Sequence, residues 1–309
     1  MTKIPVGKTI VHAYAFGFRD FPKILGVMWL PMAITWLPSF FLQRYMMARQ
    51  IQAAGGAIAF REMWPILLPF YLVVFVVLFM QIIGIAKLAL GIKKGPAWFY
   101  FSLGKPVWRL IGSVLLLALA LIIGWLAVLL GGVVLGFLAT LLTRAVNSNL
   151  FSGITGVVSV VLMIALWCGY IYALVRLTFL LVPVIATEEE GFALARAWTL
   201  GHRNFWRMFV ILLAMLGPFI LLEFAFIFGY LLHGIPFPAH GNAAQATAFQ
   251  IVINARTVEL VSAMSHYWYL TYPVVIVVMV IFYGVNTGAQ CFAWRALTES
   301  ESSGPVAAD

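Results

Sequence analysis

Residues 107–142 form the longest apolar run in the chain and read VWRLIGSVLLLALALIIGWLAVLLGGVVLGFLATLL. About 20 apolar residues are enough for a helix to cross the hydrocarbon core of a membrane. At about 1.5 Å per residue, a straight helix over this run is roughly 54 Å long, too long for one simple crossing. We expect it to bend or to leave the membrane at Gly131-Gly132. Gly132 and Gly136 also form a GxxxG pair, which predicts close contact with another helix.

The composition of the whole chain agrees with a membrane protein. Of the 309 residues, 64% are hydrophobic and 9% are charged, and the mean hydropathy is +1.03. A soluble domain has about 25% charged residues. The composition therefore excludes the soluble classes, including almost all soluble enzymes, and predicts an all-α integral membrane protein.

Five further apolar runs are long enough to cross a membrane. They cover residues 24–42, 64–86, 154–185, 205–232 and 268–294. With residues 107–142 they predict six transmembrane helices in a single polytopic domain. This domain spans residues 1–298, and a short polar tail over residues 299–309 follows it.

The lysines and arginines predict the orientation. With the N-terminus in the cytoplasm, thirteen of the 19 fall on the inner side and five on the outer side, while Arg176 lies within a span. Because positive residues are enriched in cytoplasmic loops, both termini are predicted to be cytoplasmic. The same bias explains the net charge of +9 better than nucleic-acid binding does, so no nucleic-acid partner is predicted.

Two stretches at a constant offset of 184 residues are similar. Residues 13–23 read AYAFGFRDFPK and residues 197–207 read AWTLGHRNFWR, and each leads into a predicted span. A fainter copy lies around residues 100–110, before the third span. The pattern predicts three hairpin repeats, each preceded by an amphipathic helix on the cytoplasmic side. The alternative is that interfacial helices look alike because all of them are rich in aromatic residues and arginine.

The copy before the fifth span contains most of the predicted binding residues. We expect its aromatic side chains to lie at the acyl boundary and its arginines to contact anionic headgroups. Asn204 here, and Asp20 in the first copy, are expected to cap the helix that follows. The predicted lipid- or partner-binding residues of this copy are Trp198, Arg203, Asn204, Phe205, Trp206 and Arg207.

Two segments between the spans, residues 43–62 and 246–263, have helical apolar spacing and few charges. Such segments are typical of helices that lie in the membrane interface. We therefore expect a helix in each, at the outer leaflet.

Polar residues within spans are costly and indicate binding sites or helix contacts. Arg176 lies roughly 13 Å from the inner end of its span and Glu223 roughly 27 Å from the inner end of its own. We expect both side chains to face the bundle interior, with separate polar partners. Tyr283, Asn286 and Gln290 share one face of the sixth span. These five residues either line a cleft for a headgroup, an ion or a small solute, or they form interhelical hydrogen bonds.

The sequence has no nucleotide-binding loop and no zinc-protease motif. His233, His240, Glu259 and His266 fall on the predicted outer side, but their spacing matches no known metal site. The acidic run 188–190 is expected to start a helix, because carboxylates favour the positive end of the helix dipole. The chain is therefore predicted to be non-enzymatic, with no metal and no cofactor.

Residues 176–208 read RLTFLLVPVIATEEEGFALARAWTLGHRNFWRM. The Arg-Leu start, Pro183 seven residues on, the acidic residues and the Asn-Phe-Trp-Arg run resemble a family of six-span bacterial proteins. This family is named after the membrane domain attached to some glycerophosphodiester phosphodiesterases. Ala197 stands where the family usually has Ser, and Gly201 comes earlier than the family's Gly. The resemblance implies a bacterial membrane protein without the catalytic domain, from a family whose members mostly have no assigned activity.

Two functions follow as hypotheses. The first is a non-enzymatic protein of the bacterial inner membrane, in envelope or lipid homeostasis, that binds or moves a lipid-like or small polar molecule. Its expected partners are membrane lipids, anionic at the inner leaflet. The alternative is a scaffold or accessory subunit of a larger membrane complex, and a homo-oligomer is compatible with both hypotheses.

Overall fold

The computed structural model describes residues 3–52, 60–92, 102–146, 149–187, 191–235 and 243–302. Every regular element in these ranges is helical. A π-helical turn, Ile227–Leu231, extends the eighth helix. The ten α-helices are α1 (Val6–Arg19), α2 (Phe21–Gln52), α3 (Phe60–Ala89), α4 (Lys105–Val146), α5 (Asn149–Thr178), α6 (Leu181–Thr187), α7 (Ala193–Leu200), α8 (Phe205–Phe226), α9 (Ala243–His266) and α10 (Trp268–Ser302).

Five helical segments are long and apolar enough to cross a membrane, as in a multi-pass membrane protein. They are Trp64–Ala89, Lys105–Leu138, Val157–Thr187, Phe205–Leu231 and Trp268–Glu299. They coincide with five of the six predicted spans. The first predicted span lies in α2, where a shorter apolar segment, Phe21–Trp36, is found, so a sixth crossing stays a prediction.

The longest apolar run forms one helix. α4 has 42 residues and stays helical through Gly131-Gly132, and the expected bend or exit from the membrane at this pair stays a prediction. The glycines face α5, since a Cβ at Gly131 would lie 3.5 Å from Leu166 and one at Gly132 would collide with Met163. A Cβ at Gly136 would meet nothing within 4 Å among the described residues, so within them Gly132 is the member of the predicted GxxxG pair that contacts α5.

The fourth predicted span, residues 154–185, is two helices rather than one. α5 ends at Thr178, and α6 begins at Leu181 after a two-residue turn. Pro183 has no N–H to donate to the carbonyl four residues earlier, at Phe179, so the helical ladder is interrupted there. It resumes where Val184 N–H donates to Leu180 O at 3.2 Å.

The chain divides into two compact units. The first contains residues 1–6, 103–210 and 293–309. Within it, α4 packs against α5, and α7 packs against α5 and α6. Its most deeply buried side chains include Leu180, Val184, Ile185, Ala197 and Met208.

The second unit contains residues 7–102 and 211–292, and small residues allow a close helix crossing in it. Ala13 and Gly17 on α1 face Gly284 and Gly288 on α10. A Cβ at Gly284 would lie 3.4 Å from Gly17 Cα, and one at Gly288 would lie 3.7 Å from Ala13 Cα. Small residues at an i, i+4 spacing let two helix backbones approach closely. Ala13, Phe16 and Gly17 of α1 are therefore buried against protein, while Phe18 of the same helix is 60% exposed.

The two segments predicted to lie on the outer side, residues 43–62 and 246–263, are helical over most of their described residues. Residues 246–263 lie within α9, and most of the α9 side chains are exposed. Arg256 joins this helix to the end of the π-helical turn, because its Nη1 donates to the carbonyls of Tyr230, Leu231 and His233 at 3.1, 3.1 and 2.7 Å. For the segment 43–62, α2 extends to Gln52 and α3 begins at Phe60, while residues 53–59 lie outside the described residues.

The two clearest sequence copies have similar helices but different turns. Each has a short helix before a long one, α1 before α2 and α7 before α8. Asp20 N–H donates to Phe16 O, four residues back, whereas the equivalent Asn204 N–H donates to Gly201 O, three residues back. Part of the third copy, residues 93–101, lies outside the described residues. The three-fold repeat therefore stays a prediction.

Candidate functional site: an arginine and aromatic cluster beside the α7–α8 turn

Arg176 is buried at the end of α5, with 3% of its surface exposed. Its Nη1 donates to the Tyr172 hydroxyl at 2.9 Å and its Nη2 donates to Trp198 O at 2.7 Å. The last four carbonyls of a helix lack a partner within the helix. In α7, Ala197 O and Thr199 O are satisfied by backbone N–H groups of the next turn. Arg176 donates to the carbonyl between them, Trp198 O.

Two aromatic rings cover the Arg176 guanidinium. Its Cζ lies 3.7 Å from the centroid of the Trp198 ring and 5.3 Å from that of Tyr172. Such contacts stabilise a cation, and more so when water is excluded. The Nε atom is buried and has no hydrogen-bond partner in the described part of the chain. The neighbours of this buried cation are thus a carbonyl, a hydroxyl and two π-faces.

The aromatic contacts continue onto α8. The Tyr172 ring lies 4.7 Å from Phe205, which in turn lies 5.1 Å from Trp206 and stacks on Phe209 at 5.8 Å. The outer edge of this group is open, because Trp206 is 72% exposed and Trp198 is 38% exposed. We call Arg176, Tyr172, Trp198, Phe205 and Trp206 the Arg176 cluster.

The turn from α7 to α8 is tight. A Cβ at Gly201 would lie 3.1 Å from Met208 Cε and 3.2 Å from Ala197 O, so glycine permits the close approach. Arg203 has a φ of 65°, in the left-handed region that few non-glycine residues adopt. Its side chain is exposed.

Two predicted residues of this turn bind the chain's own N-terminal segment, residues 3–5. Ile4 N–H donates to Asn204 Oδ1 at 3.3 Å, and Arg207 Nη1 donates to Ile4 O at 2.9 Å. The Ile4 side chain is completely buried. No sequence pattern points to Ile4, because a single apolar residue about 200 positions away has no periodicity that would reveal its partner.

A hydrogen bond from an arginine to a main-chain carbonyl also joins the start of α4 to the loop before α7. Arg109 Nη2 donates to Gly191 O at 2.9 Å. The neighbouring Trp108 and Phe192 are 57% and 60% exposed. Exposed aromatic rings and cations therefore occur together at the helix ends of this unit.

Glu223 does not face the protein interior as expected. Its side chain is exposed, as are all those of residues 220–226. At about 1.5 Å per residue it lies roughly 27 Å along α8 from Phe205. That distance is close to the thickness of the apolar core of a membrane, about 30 Å.

The three polar residues of α10 belong to the second unit and are partly buried. Asn286 Nδ2 donates to Phe282 O of its own helix at 2.9 Å. Gln290 Oε1 is buried, with no partner in the described ranges. Of the predicted residues, the cluster contains Arg176, Trp198, Phe205 and Trp206, while Asn204 and Arg207 contact Ile4 and the Arg203 side chain is exposed. Glu223, Tyr283, Asn286 and Gln290 are not among its residues.

The chemistry available at the cluster is hydrogen-bond donation and cation–π contact. Within the described ranges, no three His, Cys, Asp or Glu side chains are grouped so as to hold a metal ion, and His240 lies outside those ranges. Guanidinium groups beside exposed tryptophans suit an acceptor oxygen attached to an apolar body.

Comparisons with protein families, with curated proteins and with solved structures found no match to this chain. The resemblance carried by residues 176–208 therefore stays a prediction. The fold and the cluster define an all-helical protein of the multi-pass membrane class, with a basic and aromatic site at its helix ends.

Proposed function

We propose that this protein is non-enzymatic and binds, or moves, a lipid-like molecule with an anionic headgroup at the α7–α8 turn. The observation that carries the proposal is that Trp206, which is 72% exposed, and Arg203, three residues before it in the chain, both have exposed side chains at this turn. Tryptophan favours the membrane interface, and arginine there attracts anionic headgroups. We place this surface at the cytoplasmic leaflet of a bacterial inner membrane, in envelope or lipid homeostasis.

The charge of the first unit supports an anionic ligand. Its sequence has nine lysines and arginines against six aspartates and glutamates, of which Glu299 lies 3.9 Å from Arg295. The basic residues described there are Lys3, Lys105, Arg109, Arg176, Arg196, Arg203, Arg207 and Arg295. This excess of positive charge attracts acidic lipids over a distance of about one Debye length.

Native mass spectrometry with retained lipids tests the proposal. Protein in nanodiscs of mixed phosphatidylglycerol and phosphatidylcholine should keep phosphatidylglycerol in a stoichiometric complex after release from the disc. A bound population that merely follows the lipid composition of the disc would contradict the proposal.

A charge-reversal variant locates the binding site. Arg203→Glu combined with Trp206→Ala should weaken phosphatidylglycerol binding at least about ten-fold, since each interfacial cation contributes about 1 kcal/mol. Lys8→Glu is the matched control, because Lys8 is an exposed cation on α1. Equal losses in the two variants would mean that net charge, and not this turn, controls binding.

The exposed Glu223 favours the alternative function, a scaffold or accessory subunit of a larger membrane complex. It is surrounded by exposed apolar side chains, including Leu221 at 70% and Phe224 at 53%. A carboxylate on such a face would be satisfied by a hydrogen-bond donor of a partner subunit. An obligate protein partner in place of bound lipid, in the same native spectra, would select this alternative.

A further inference from the structure

Pro218 interrupts the hydrogen bonding within α8. It lies inside this helix and has no N–H to donate to the carbonyl four residues earlier, at Ala214. The hydroxyl of Tyr14, on α1, donates a hydrogen bond to Ala214 O at 2.9 Å. A side chain from another helix of the same unit therefore supplies the donor that α8 lacks.

The carbonyl that the proline frees has few other donors. The segment Phe205–Leu231 is long and apolar enough to cross a membrane, and the hydrocarbon core holds no water that could donate to Ala214 O. Prolines are tolerated in such helices where a neighbouring helix satisfies the carbonyl that they free. We infer that the Tyr14 hydroxyl replaces the missing N–H of Pro218 and so holds the helical turn around this proline closed. This conformational role does not depend on the proposed function.

Tyr14 is held in position by the packing of α1. Ala13 and Gly17 of the same helix are buried and face α10. One residue after the proline, the Phe219 ring packs against the Phe282 ring of α10, with 4.8 Å between the centroids. α8 is therefore bound to α1 before the proline and to α10 after it. Because α1 and α10 also contact each other, the Tyr14 hydroxyl lies in a defined position relative to α8.

Hydrogen exchange in phosphatidylcholine nanodiscs measures how often this turn opens. Tyr14→Phe keeps the ring and removes the hydroxyl, so amide exchange over residues 215–222 should become about five-fold faster, the factor equivalent to one hydrogen bond of about 1 kcal/mol. Tyr272→Phe is the matched control. The Tyr272 hydroxyl donates to Met32 O of α2 at 3.4 Å, but Trp36, four residues on, has an N–H that can donate to the same carbonyl. Exchange in α2 should therefore be the same in this variant as in the wild type.

Pro218→Ala separates the effect of the hydrogen bond from that of the packing of the Tyr14 ring. Alanine restores the N–H, so Ala214 O regains a donor within α8. In this background Tyr14→Phe should change the exchange rate by less than about two-fold, because the hydroxyl and the proline act on one carbonyl and their effects are coupled. An equal acceleration in both backgrounds would overturn the inference. If Tyr14→Phe alone does not fold, rescue of folding by Pro218→Ala would support the inference, and no rescue would overturn it.

The carbonyl carbon resonance of Ala214, observed by solid-state NMR in the same nanodiscs, reports the hydrogen bond itself. Loss of the donor should shift this resonance in Tyr14→Phe, whereas Tyr272→Phe should leave it in place. If the resonance and the exchange rates are the same in Tyr14→Phe as in the wild type, Ala214 O does not need the hydroxyl and the inference is overturned. These nanodiscs contain no anionic lipid, so the outcome is independent of the proposed function.

Discussion

At the scale of single residues, four arginines donate hydrogen bonds to main-chain carbonyls. The acceptors are Gly191 for Arg109, Trp198 for Arg176, Ile4 for Arg207 and the end of the π-helical turn for Arg256. The chain has 10 acidic residues, so carboxylate partners are scarce. A guanidinium has five donors in a fixed fork and can satisfy the carbonyls left free at helix ends and in loops.

Arg176 is expected to contribute substantially to stability. Arg176→Ala should lower the free energy of unfolding by about 2–4 kcal/mol, because it removes two charge-assisted hydrogen bonds and a cation–π contact. Tyr172→Phe, which removes the hydroxyl acceptor at 2.9 Å, should cost about 1 kcal/mol. Denaturation in nanodiscs measures both.

The double variant of Arg176→Ala with Tyr172→Phe should show coupling, since the two side chains contact each other. Glu223→Ala should be additive with Arg176→Ala, because the hydrogen bonds of Arg176 go to Tyr172 and Trp198. A coupling energy above about 1 kcal/mol between Arg176 and Glu223 would contradict the assignment of separate partners.

Gln81 has a buried amide group that is expected to cost stability. It is 3% exposed, and its Nε2 has no acceptor among the described residues. Gln81→Leu keeps a similar volume and removes the unsatisfied donor, so it should raise the free energy of unfolding by about 1 kcal/mol. If Gln81→Leu is instead less stable than Gln81→Met, the shape of this side chain, and not its polarity, controls the free energy of unfolding.

At the scale of helices, glycine and proline positions determine where helices meet and end. Pro183 separates α5 from α6, and Gly201 lets α7 turn into α8. Four small residues form the crossing of α1 and α10. The glycines act because they lack a Cβ, and Pro183 acts because it lacks an N–H. Substitutions at these positions should therefore change where the helices lie more than whether they form.

The crossing of α1 and α10 is predicted to be sensitive to size. A Cβ at Gly284 would lie 2.8 Å from Ile24 Cδ1 and 3.4 Å from Gly17 Cα, so Gly284→Val should destabilise the protein by about 1–3 kcal/mol. Gly217→Val is the control, because a Cβ there meets nothing within 4 Å. Thermal unfolding in detergent compares them, and equal losses would show that helix propensity and not the crossing is responsible.

Arg256 is predicted to hold α9 against the end of α8. Arg256→Met keeps the aliphatic stem but removes the donor to three carbonyls, so hydrogen exchange across α9 should become at least about ten-fold faster, a cost of roughly 1.4 kcal/mol in local opening. Gln250→Ala is the matched change, since Gln250 Nε2 donates to Asn254 within α9. Unchanged exchange in Arg256→Met would show that other contacts hold α9.

At the scale of the whole molecule, five helices are long and apolar enough to cross a membrane. Such helices satisfy their backbone hydrogen bonds internally, as the hydrocarbon core requires. The excess of lysine and arginine on one side predicts the orientation of the protein in the membrane. With the predicted crossing by α2, the number of transmembrane helices would be six.

Cysteine labelling tests this topology. With six spans and cytoplasmic termini, single cysteines at Gln50, Ser148 and Gln245 should react with an impermeant reagent added to spheroplasts. Cysteines at Lys94 and Glu190 should react only after the membrane is opened. If α2 does not cross and the N-terminus is cytoplasmic, the cysteine at position 50 will be protected, and those at 94 and 190 will react with the impermeant reagent, because α3 crosses between positions 50 and 94.

The sequence by itself determined the class of the protein, the positions of the long helices and the turn that carries most of the site. Apolar runs of this length have few alternatives to a helix in lipid, because no water is there to satisfy the backbone. The glycine, arginine and asparagine of the α7–α8 turn were visible as a local pattern before α8.

Only the tertiary structure decided what these residues contact. A pattern of apolar and basic positions does not show whether a helix face meets lipid or another helix, and α1 proved to be packed against α10. Ile4 and Arg207 lie 203 residues apart, so their hydrogen bond follows from packing and not from local sequence. The burial of Arg176 beneath Trp198 and the exposure of Glu223 also depend on which helices lie next to each residue. The local sequence therefore does not show them.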